Sequence, residues 1–208
     1  FTGGGNHTSL IERFQYPRFG PGQMWDACRD RIIGGGGQVL TGQEVVGLEH
    51  DSRRVLSVTT RDPQGRQRAF RPRHVVSSMP LRDLFATLSP AAPAAPAAAA
   101  QRLRYRDFIT VALVVDHPDL FPDNWIYIHS PRVQMGRIQN FKNWSPDLVA
   151  DPATSTLGLE YFCFPGDALW RMTDAELVDL GRREVALLGL LPAGTRVLDG
   201  TVVRWRRP

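Results

Sequence analysis

Polar and aromatic side chains gather at several places in the sequence, and their types suit the binding of a small molecule. Arginine can hold a carboxylate or a phosphate with two parallel hydrogen bonds, which makes Arg18 and Arg137 candidates. Trp144 and Tyr161 can stack on a ring. Core aromatics and ion-paired surface arginines are common alternatives, and the sequence does not separate a pocket wall from a sheet interior. The predicted substrate-binding residues are Tyr16, Arg18 and Phe19 on a loop rich in glycine and proline, Arg137, Asn140, Lys142 and Trp144 around a strand end, with Asn143 beside them, and Glu160 and Tyr161 along a strand.

Motifs that carry a complete catalytic mechanism are missing from the sequence. It contains no phosphate-binding loop, zinc-protease motif or nucleophile elbow, and its histidines and cysteines are not spaced for a metal ion. The glycine run at 34–37 follows a predicted helix and opens an extended segment, the reverse of a phosphate-binding loop, so we interpret it as a helix end. Catalytic residues stay unassigned, and no metal site is predicted. Cys28 and Cys163 are interpreted as buried small hydrophobic residues.

The composition is that of a folded chain with scattered positive charge. Of the 208 residues, 42% are hydrophobic and 22% are charged, which excludes a disordered chain. The net charge is +4, carried by arginines spread along the sequence, and we expect no nucleic-acid partner. No apolar run approaches the roughly 20 residues of a membrane-spanning helix, and the start lacks the plan of a signal peptide, which predicts a cytoplasmic protein. The chain stops within a predicted strand, so we expect a piece of a longer protein.

The first ninety residues predict a loop, a helix and a small β-meander. Pro21 suits the first turn of a helix in which Trp25, Cys28 and Ile32 repeat at helical spacing, and we expect this helix to cover a sheet. Turn residues then separate short apolar runs. Strands are predicted at 38–41, 44–49, 55–60 and 67–70, a return strand at 75–78, and a short helix at 81–88.

The second block predicts an antiparallel sheet with at least one packed helix. An alanine-rich segment at 90–100 is either a linker or the start of a helix from Pro96 to about residue 103. Thr173 and Glu176 form a capping box, followed by an apolar stripe at helical spacing: Leu177, Gly181, Val185 and Leu188. Strands are predicted at 108–115, 125–129, 134–141, 157–164 and 195–204. The fold class is therefore α+β, an antiparallel sheet with packed helices plus a small β-meander.

The ordered set of these patterns resembles the middle portion of flavin-dependent oxidoreductases of the amine-oxidase type. That superfamily includes protoporphyrinogen oxidases, phytoene desaturases and, at greater distance, UDP-galactopyranose mutases. The resemblance covers essentially the whole chain. It is carried by FQYPRFGPGQMW at 14–25, GGQVL through EVVGLEHD at 36–51, HVVSSMPL at 74–81, GRIQNFKNWSP at 136–146 and LGLEYFCF at 157–164.

The resemblance implies an FAD domain interleaved with a substrate domain that is built on a large antiparallel sheet. It assigns residues 1–90 to part of the FAD-binding region and residues 91–208 to the substrate-binding domain. Val45 would lie under the adenine and pair with it through its backbone, and the turn Ser78, Met79 and Pro80 would run close to the cofactor. The glycine fingerprint GxGxxG and the family's C-terminal flavin-contacting segment are missing from these residues. We therefore expect the intact parent to bind FAD, and the 208 residues alone to bind it weakly or not at all.

Three functions fit this interpretation. The first is an FAD-dependent oxidoreductase whose partners are a small-molecule substrate and the missing FAD-binding segments of the parent chain, with the isolated fragment inactive. The second is a mutase-like flavoenzyme that acts on a nucleotide sugar. The third is a non-catalytic binding module that kept the substrate sheet.

Overall fold

A computed structural model describes residues 15–205 of the chain. The predicted loop residues 1–14, with Phe14 and the glycines at 3–5, and the arginines at 206 and 207 lie outside the described residues. The fold is α+β, as predicted. It divides into two compact units, each with its own sheet: one holds residues 15–31 and Phe108–Trp205, and the other holds residues 32–107.

The unit of residues 32–107 contains the predicted meander. Three antiparallel strands follow one another: β1 (Glu44–His50), β2 (Val55–Arg61) and β3 (Gln67–Phe70). A two-residue strand, β4 (Leu88–Ser89), pairs with β1 in parallel, which gives the order β3-β2-β1-β4. The helices of this unit are α2 (Leu81–Ala86) and α3 (Ala94–Gln101).

Two strands predicted in this region are not formed. Residues 38–41 and 75–78 are irregular, and the backbone groups of 75–78 have no hydrogen-bond partner within the described chain. A run of β-branched residues becomes a strand only when a neighbouring strand completes its hydrogen-bond ladder. The sequence pattern of the run does not show whether such a neighbour exists. The helix expected from Pro96 begins at Ala94, because a proline is tolerated in the first turn, where its missing N–H has no acceptor.

The first helix, α1 (Gly22–Gly34), begins and ends where the sequence predicts it. The expectation that it covers a sheet is wrong for the described residues, because none of its residues is buried. Trp25 is 66% exposed, and Cys28 is exposed rather than buried. Charges at Asp26, Arg29 and Asp30 pair with one another along the helix and leave it only weakly amphipathic.

The other unit is built on a five-stranded sheet. Its strands, in the spatial order β6-β7-β8-β5-β9, are β5 (Asp107–Val115), β6 (Trp125–Tyr127), β7 (Arg137–Asn140), β8 (Ser155–Cys163) and β9 (Val197–Trp205). Its helices are α4 (Phe141–Trp144), α5 (Ala168–Arg171) and α6 (Asp174–Leu187), with a 3₁₀ turn at Pro146–Leu148. β7 is shorter than predicted, because the chain turns into α4 at Phe141.

The core lies between one face of this sheet and α6. Strand residues alternate between faces, so that Val111, Leu113, Leu159 and Tyr161 all point toward the helix and are fully buried. Gly181 lets α6 approach closely, since a Cβ there would lie 2.9 Å from a Leu159 methyl group. The capping box forms as predicted, and its hydrogen bonds with Thr173 lower the pKa of the Glu176 carboxyl.

A buried carboxylate joins α6 to the sheet. Glu184 is only 5% exposed and accepts hydrogen bonds from the backbone N–H groups of Gln134 (2.7 Å) and Met135 (3.1 Å). It also accepts one from the Tyr161 hydroxyl (3.0 Å), whose pKa is raised above its ordinary value by burial. These contacts hold the segment that enters β7 against the end of the helix.

We predict that Glu184→Ala lowers the free energy of unfolding by about 2–4 kcal/mol, because three donors, two of them on the buried residues Met135 and Tyr161, lose their acceptor. Urea unfolding followed by far-UV circular dichroism measures this. The matched control is Asp179→Ala on the exposed side of the same helix, which should change stability by less than about 0.5 kcal/mol. Equal losses in both variants would contradict the assigned role of Glu184.

Candidate functional site

The face of the five-stranded sheet opposite α6 is rich in aromatic side chains, several of which are exposed; we call it the open face. Trp125 is 46% exposed, Tyr127 55% and Phe162 42%. Exposed aromatic surface of this extent is typical of a binding surface. The open face consists of Trp125 and Tyr127 of β6, Arg137 and Gln139 of β7, Thr156, Gly158, Glu160 and Phe162 of β8, Phe108, Thr110, Ala112 and Val114 of β5, and Asp199, Thr201, Val203 and Trp205 of β9.

An arginine held by a buried carboxylate lies in the middle of the open face. Glu160, 2% exposed, is hydrogen bonded to Nε of Arg137 and to the side-chain amide of Gln139. The bond to Glu160 raises the pKa of the Arg137 guanidinium above its ordinary value. The guanidinium also lies 5.8 Å from the centre of the Tyr127 ring. Glu160 and Gln139 therefore fix the position of Arg137, which remains 28% exposed.

Three aromatic rings form a stack at the β6 edge of the open face. Trp144, at the end of α4, lies 4.9 Å from Tyr16 and 5.1 Å from Trp125, measured between ring centres. Phe141, also in α4, lies over Gly158, where a Cβ would come within 2.6 Å of the ring. The glycine at 158 is thus required for the helix to rest on the sheet.

An ion pair attaches the glycine- and proline-rich loop to the same unit. Arg18 makes two hydrogen bonds to the Asp147 carboxylate, at 2.7 and 2.8 Å, and this pair lowers the pKa of Asp147. Arg18 also lies 5.2 Å from the ring centre of the exposed Phe19. Arg18 is therefore already occupied by a carboxylate of the protein.

The polar residues after β7 support the loops around the aromatic stack. The Lys142 ammonium donates to the carbonyls of Pro118 (2.7 Å), Pro152 (2.6 Å) and Thr154 (3.1 Å), which uses all three of its N–H groups. The Asn143 amide donates to the carbonyls of Phe121 and Asp123. Asn140 is 1% exposed and lies on the core face. These side chains face the protein rather than a ligand surface.

Tyr161 does not belong to the open face. It follows Glu160 in β8, and successive strand residues point to opposite faces, so its ring is buried under α6 and bonded to Glu184. The sequence singled out both residues, but one strand cannot present them to one ligand. Trp125, Tyr127 and Gln139 were missed, although the spacing of two between Trp125 and Tyr127 already places them on one face.

The unit of residues 32–107 contains a separate apolar cavity that brings together three of the four predicted cofactor residues. Its volume is about 230 Å³, and its lining consists of Val45, Leu48, Val58, Val75, Val76, Ser77, Ser78 and Met79. Pro80 is absent from the lining and stands at the start of α2.

The lining of this cavity has the character of a ligand pocket. Ligand pockets are mostly apolar with a few polar groups, and here the backbone of 75–78, without hydrogen bonds within the described chain, supplies polar groups beside an apolar wall. Pockets for whole ligands have about 300–1,000 Å³, so a cavity of this size suits one ring system rather than a whole ligand.

No cluster of three or more metal-ligating side chains occurs in residues 15–205. Across the same described range, none of the helices has the length and apolar character needed to cross a bilayer.

The sequence profile of flavin-containing amine oxidoreductases matches residues 16–208. The chain belongs to this family. No curated protein gives a significant match to this chain.

Solved structures share its fold. A reduced UDP-galactopyranose mutase superposes with a TM-score of 0.73 at 15% identity, over 93% of this chain and 41% of that one. An oxidoreductase from Methanosarcina mazei superposes with a TM-score of 0.66 at 18% identity, over 89% and 43%. A protein from Pyrococcus furiosus gives 0.64 at 13% identity, over 89% and 43%. The chain thus spans about two fifths of the length of these structures.

We predict that Asp147→Asn releases the loop that carries Tyr16 and Arg18, because the charged acceptor of Arg18 is lost. Trypsin should then cleave after Arg18 severalfold faster than in the unmodified chain at neutral pH, as followed by mass spectrometry. Since the pair lowers the pKa of Asp147, its contribution is complete above the ordinary aspartate pKa of about 3.9 and is lost as the pH falls through the lowered value.

The control for the trypsin experiment is Asp123→Asn, which removes a nearby carboxylate that has no side-chain partner among the described residues. Its cleavage rate should equal that of the unmodified chain. An unchanged rate in Asp147→Asn would show that the ion pair does not hold the loop.

Proposed function

We propose that this chain is the substrate-binding part, with part of the cofactor cleft, of an FAD-dependent oxidoreductase. The observation that carries the proposal is the open face: one side of the sheet packs against α6 and forms the core, while the other presents aromatic side chains around a fixed arginine. Membership of a flavin-containing family supports a flavin in the parent protein.

The residues of the open face would bind and orient the substrate. Glu160 holds Arg137 in place and is itself bonded to Gln139. Arg137 would orient an anionic group of the substrate through charge-assisted hydrogen bonds. Trp125, Tyr127 and the neighbouring rings would hold its apolar part and exclude water from it. The chain's own contribution is thus shape and orientation.

The cavity of residues 32–107 would hold the adenine end of FAD. Val45 and Val58 form an apolar wall for a flat ring, and the backbone groups of 75–78 can pair with its polar edge. When bound, FAD accepts a hydride from the substrate, so the redox chemistry belongs to the cofactor.

A mutase-like activity on a nucleotide sugar is the second candidate. The superposition with a reduced UDP-galactopyranose mutase at a TM-score of 0.73 favours it at the level of fold. At 15% identity the likeness does not extend to the substrate.

The test uses the longer protein that contains this chain, purified and examined by visible absorption before and after dithionite. We predict a flavin band that dithionite bleaches. Val58→Phe should reduce the flavin content severalfold, because a larger ring fills the 230 Å³ cavity. Equilibrium dialysis of the 208-residue chain alone against FAD should show weak binding or none.

The matched control is Ser57→Phe, the neighbouring position of β2, whose side chain points to the other face and bonds to Glu49. It should retain the flavin of the unmodified protein. A colourless longer protein that gains no thermal stability from added FAD would refute the proposal.

A further inference from the structure

We infer that the ligand of the open face has a flat, apolar ring body and a single negative charge, and is not a diphosphate. The inference rests on the proposed function only in taking the open face as the substrate surface. It names the chemical class of the substrate and separates the two candidate functions.

The charged side chains of the open face limit how many negative charges the ligand can carry. In the described chain, Arg137 is the one cationic side chain among the open-face positions of the five strands, and Glu160 is its carboxylate neighbour. Arg204 of β9 points to the opposite face, where it bonds to Asp174 and to the Met172 carbonyl. Arg18, at the edge, is paired with Asp147. The open-face positions of the described strands thus carry a single cationic side chain.

The geometry of Arg137 defines how that charge is used. Its hydrogen bond to Glu160 engages Nε, and the Tyr127 side chain is a further hydrogen-bond partner of the guanidinium. The remaining N–H groups of Nη1 and Nη2 can donate to a ligand. Two parallel N–H groups suit the two oxygens of one carboxylate. Because Arg137 and Glu160 together carry no net charge, the site can orient one anionic group through hydrogen bonds but holds no charge for a second.

The rings around Arg137 define the rest of the ligand. Trp125 and Tyr127 lie on one side, and Phe108 and Phe162, 5.5 Å apart, lie on the other. Such surfaces favour flat apolar bodies through burial and ring contacts. The open face therefore matches an aromatic or conjugated monocarboxylate.

A nucleoside diphosphate needs different surroundings. Its diphosphate carries at least two negative charges, and proteins bind such groups with several arginines or lysines or with helix N-termini. Among the described open-face residues only the Arg137 guanidinium is available for this. The similarity in fold to a mutase is thus not matched by the charge that a nucleotide sugar would require.

Isothermal titration of the 208-residue chain with three probes tests the inference: 2-naphthoate, its uncharged analogue 2-naphthalenemethanol, and UDP. We expect 2-naphthoate to bind about tenfold more tightly than the alcohol, because one charge-assisted contact is added. UDP should show no measurable binding at the concentrations that saturate the naphthoate site.

Two variants assign the effect to Arg137. Arg137→Gln should weaken naphthoate about tenfold and leave the alcohol unchanged. Because Glu160 is then buried without its partner, the double variant Arg137→Gln with Glu160→Gln keeps a neutral, hydrogen-bonded pair and should give the same result. Arg182→Gln, on the exposed side of α6, is the control and should bind all probes as the unmodified chain does.

UDP binding as tight as that of naphthoate would overturn the inference, and so would the failure of naphthoate to bind to chain that circular dichroism shows to be folded. Equal loss of both naphthalene probes in the two Arg137 variants would also overturn it. These outcomes are independent of flavin binding, which depends on residues 32–107 and on the longer protein. A failed flavin test with naphthoate bound refutes the proposed function but not the ligand class.

Discussion

The period of two along β8 is the constraint on which the functional account depends. Leu159 and Tyr161 point into the core beneath α6, so Glu160 and Phe162 must point the other way, and the neighbouring strands follow the same register. A shift of one residue would bury a carboxylate among leucines and expose the apolar stripe to water. The buried face therefore determines which side chains form the open face.

Two buried carboxylates hold the start of β7 from opposite sides of the sheet. Glu184, on the helix side, accepts hydrogen bonds from the backbone of Gln134 and Met135. Glu160, on the open face, binds the side chain of Arg137. The start of β7, which carries Arg137, is thus held through both its backbone and its side chain. A binding group needs such support to keep its geometry. Lys142 and Asn143 support the aromatic stack in a similar way, through loop carbonyls.

Local patterns predicted most of the fold, because propensity and tertiary packing agree there. The capping box at Thr173 and the apolar stripe after it predicted α6, and the turn residues predicted the meander. The sequence did not predict which distant segments pair as strands. Residues 75–78 have the composition of a strand but no neighbouring strand in the described chain. The same holds for the site. Arg137 and Glu160 were predicted as binding residues, but only the folded structure shows that Tyr161 faces the core and that Lys142 donates to three carbonyls.

The most direct test of the central claim is a crystal structure of the longer, flavin-loaded protein that contains this chain. The account predicts that bound substrate lies against the open side of the five-stranded sheet, in contact with Arg137, Trp125 and Tyr127. An open face covered by another part of the protein, with the substrate bound elsewhere, would contradict it.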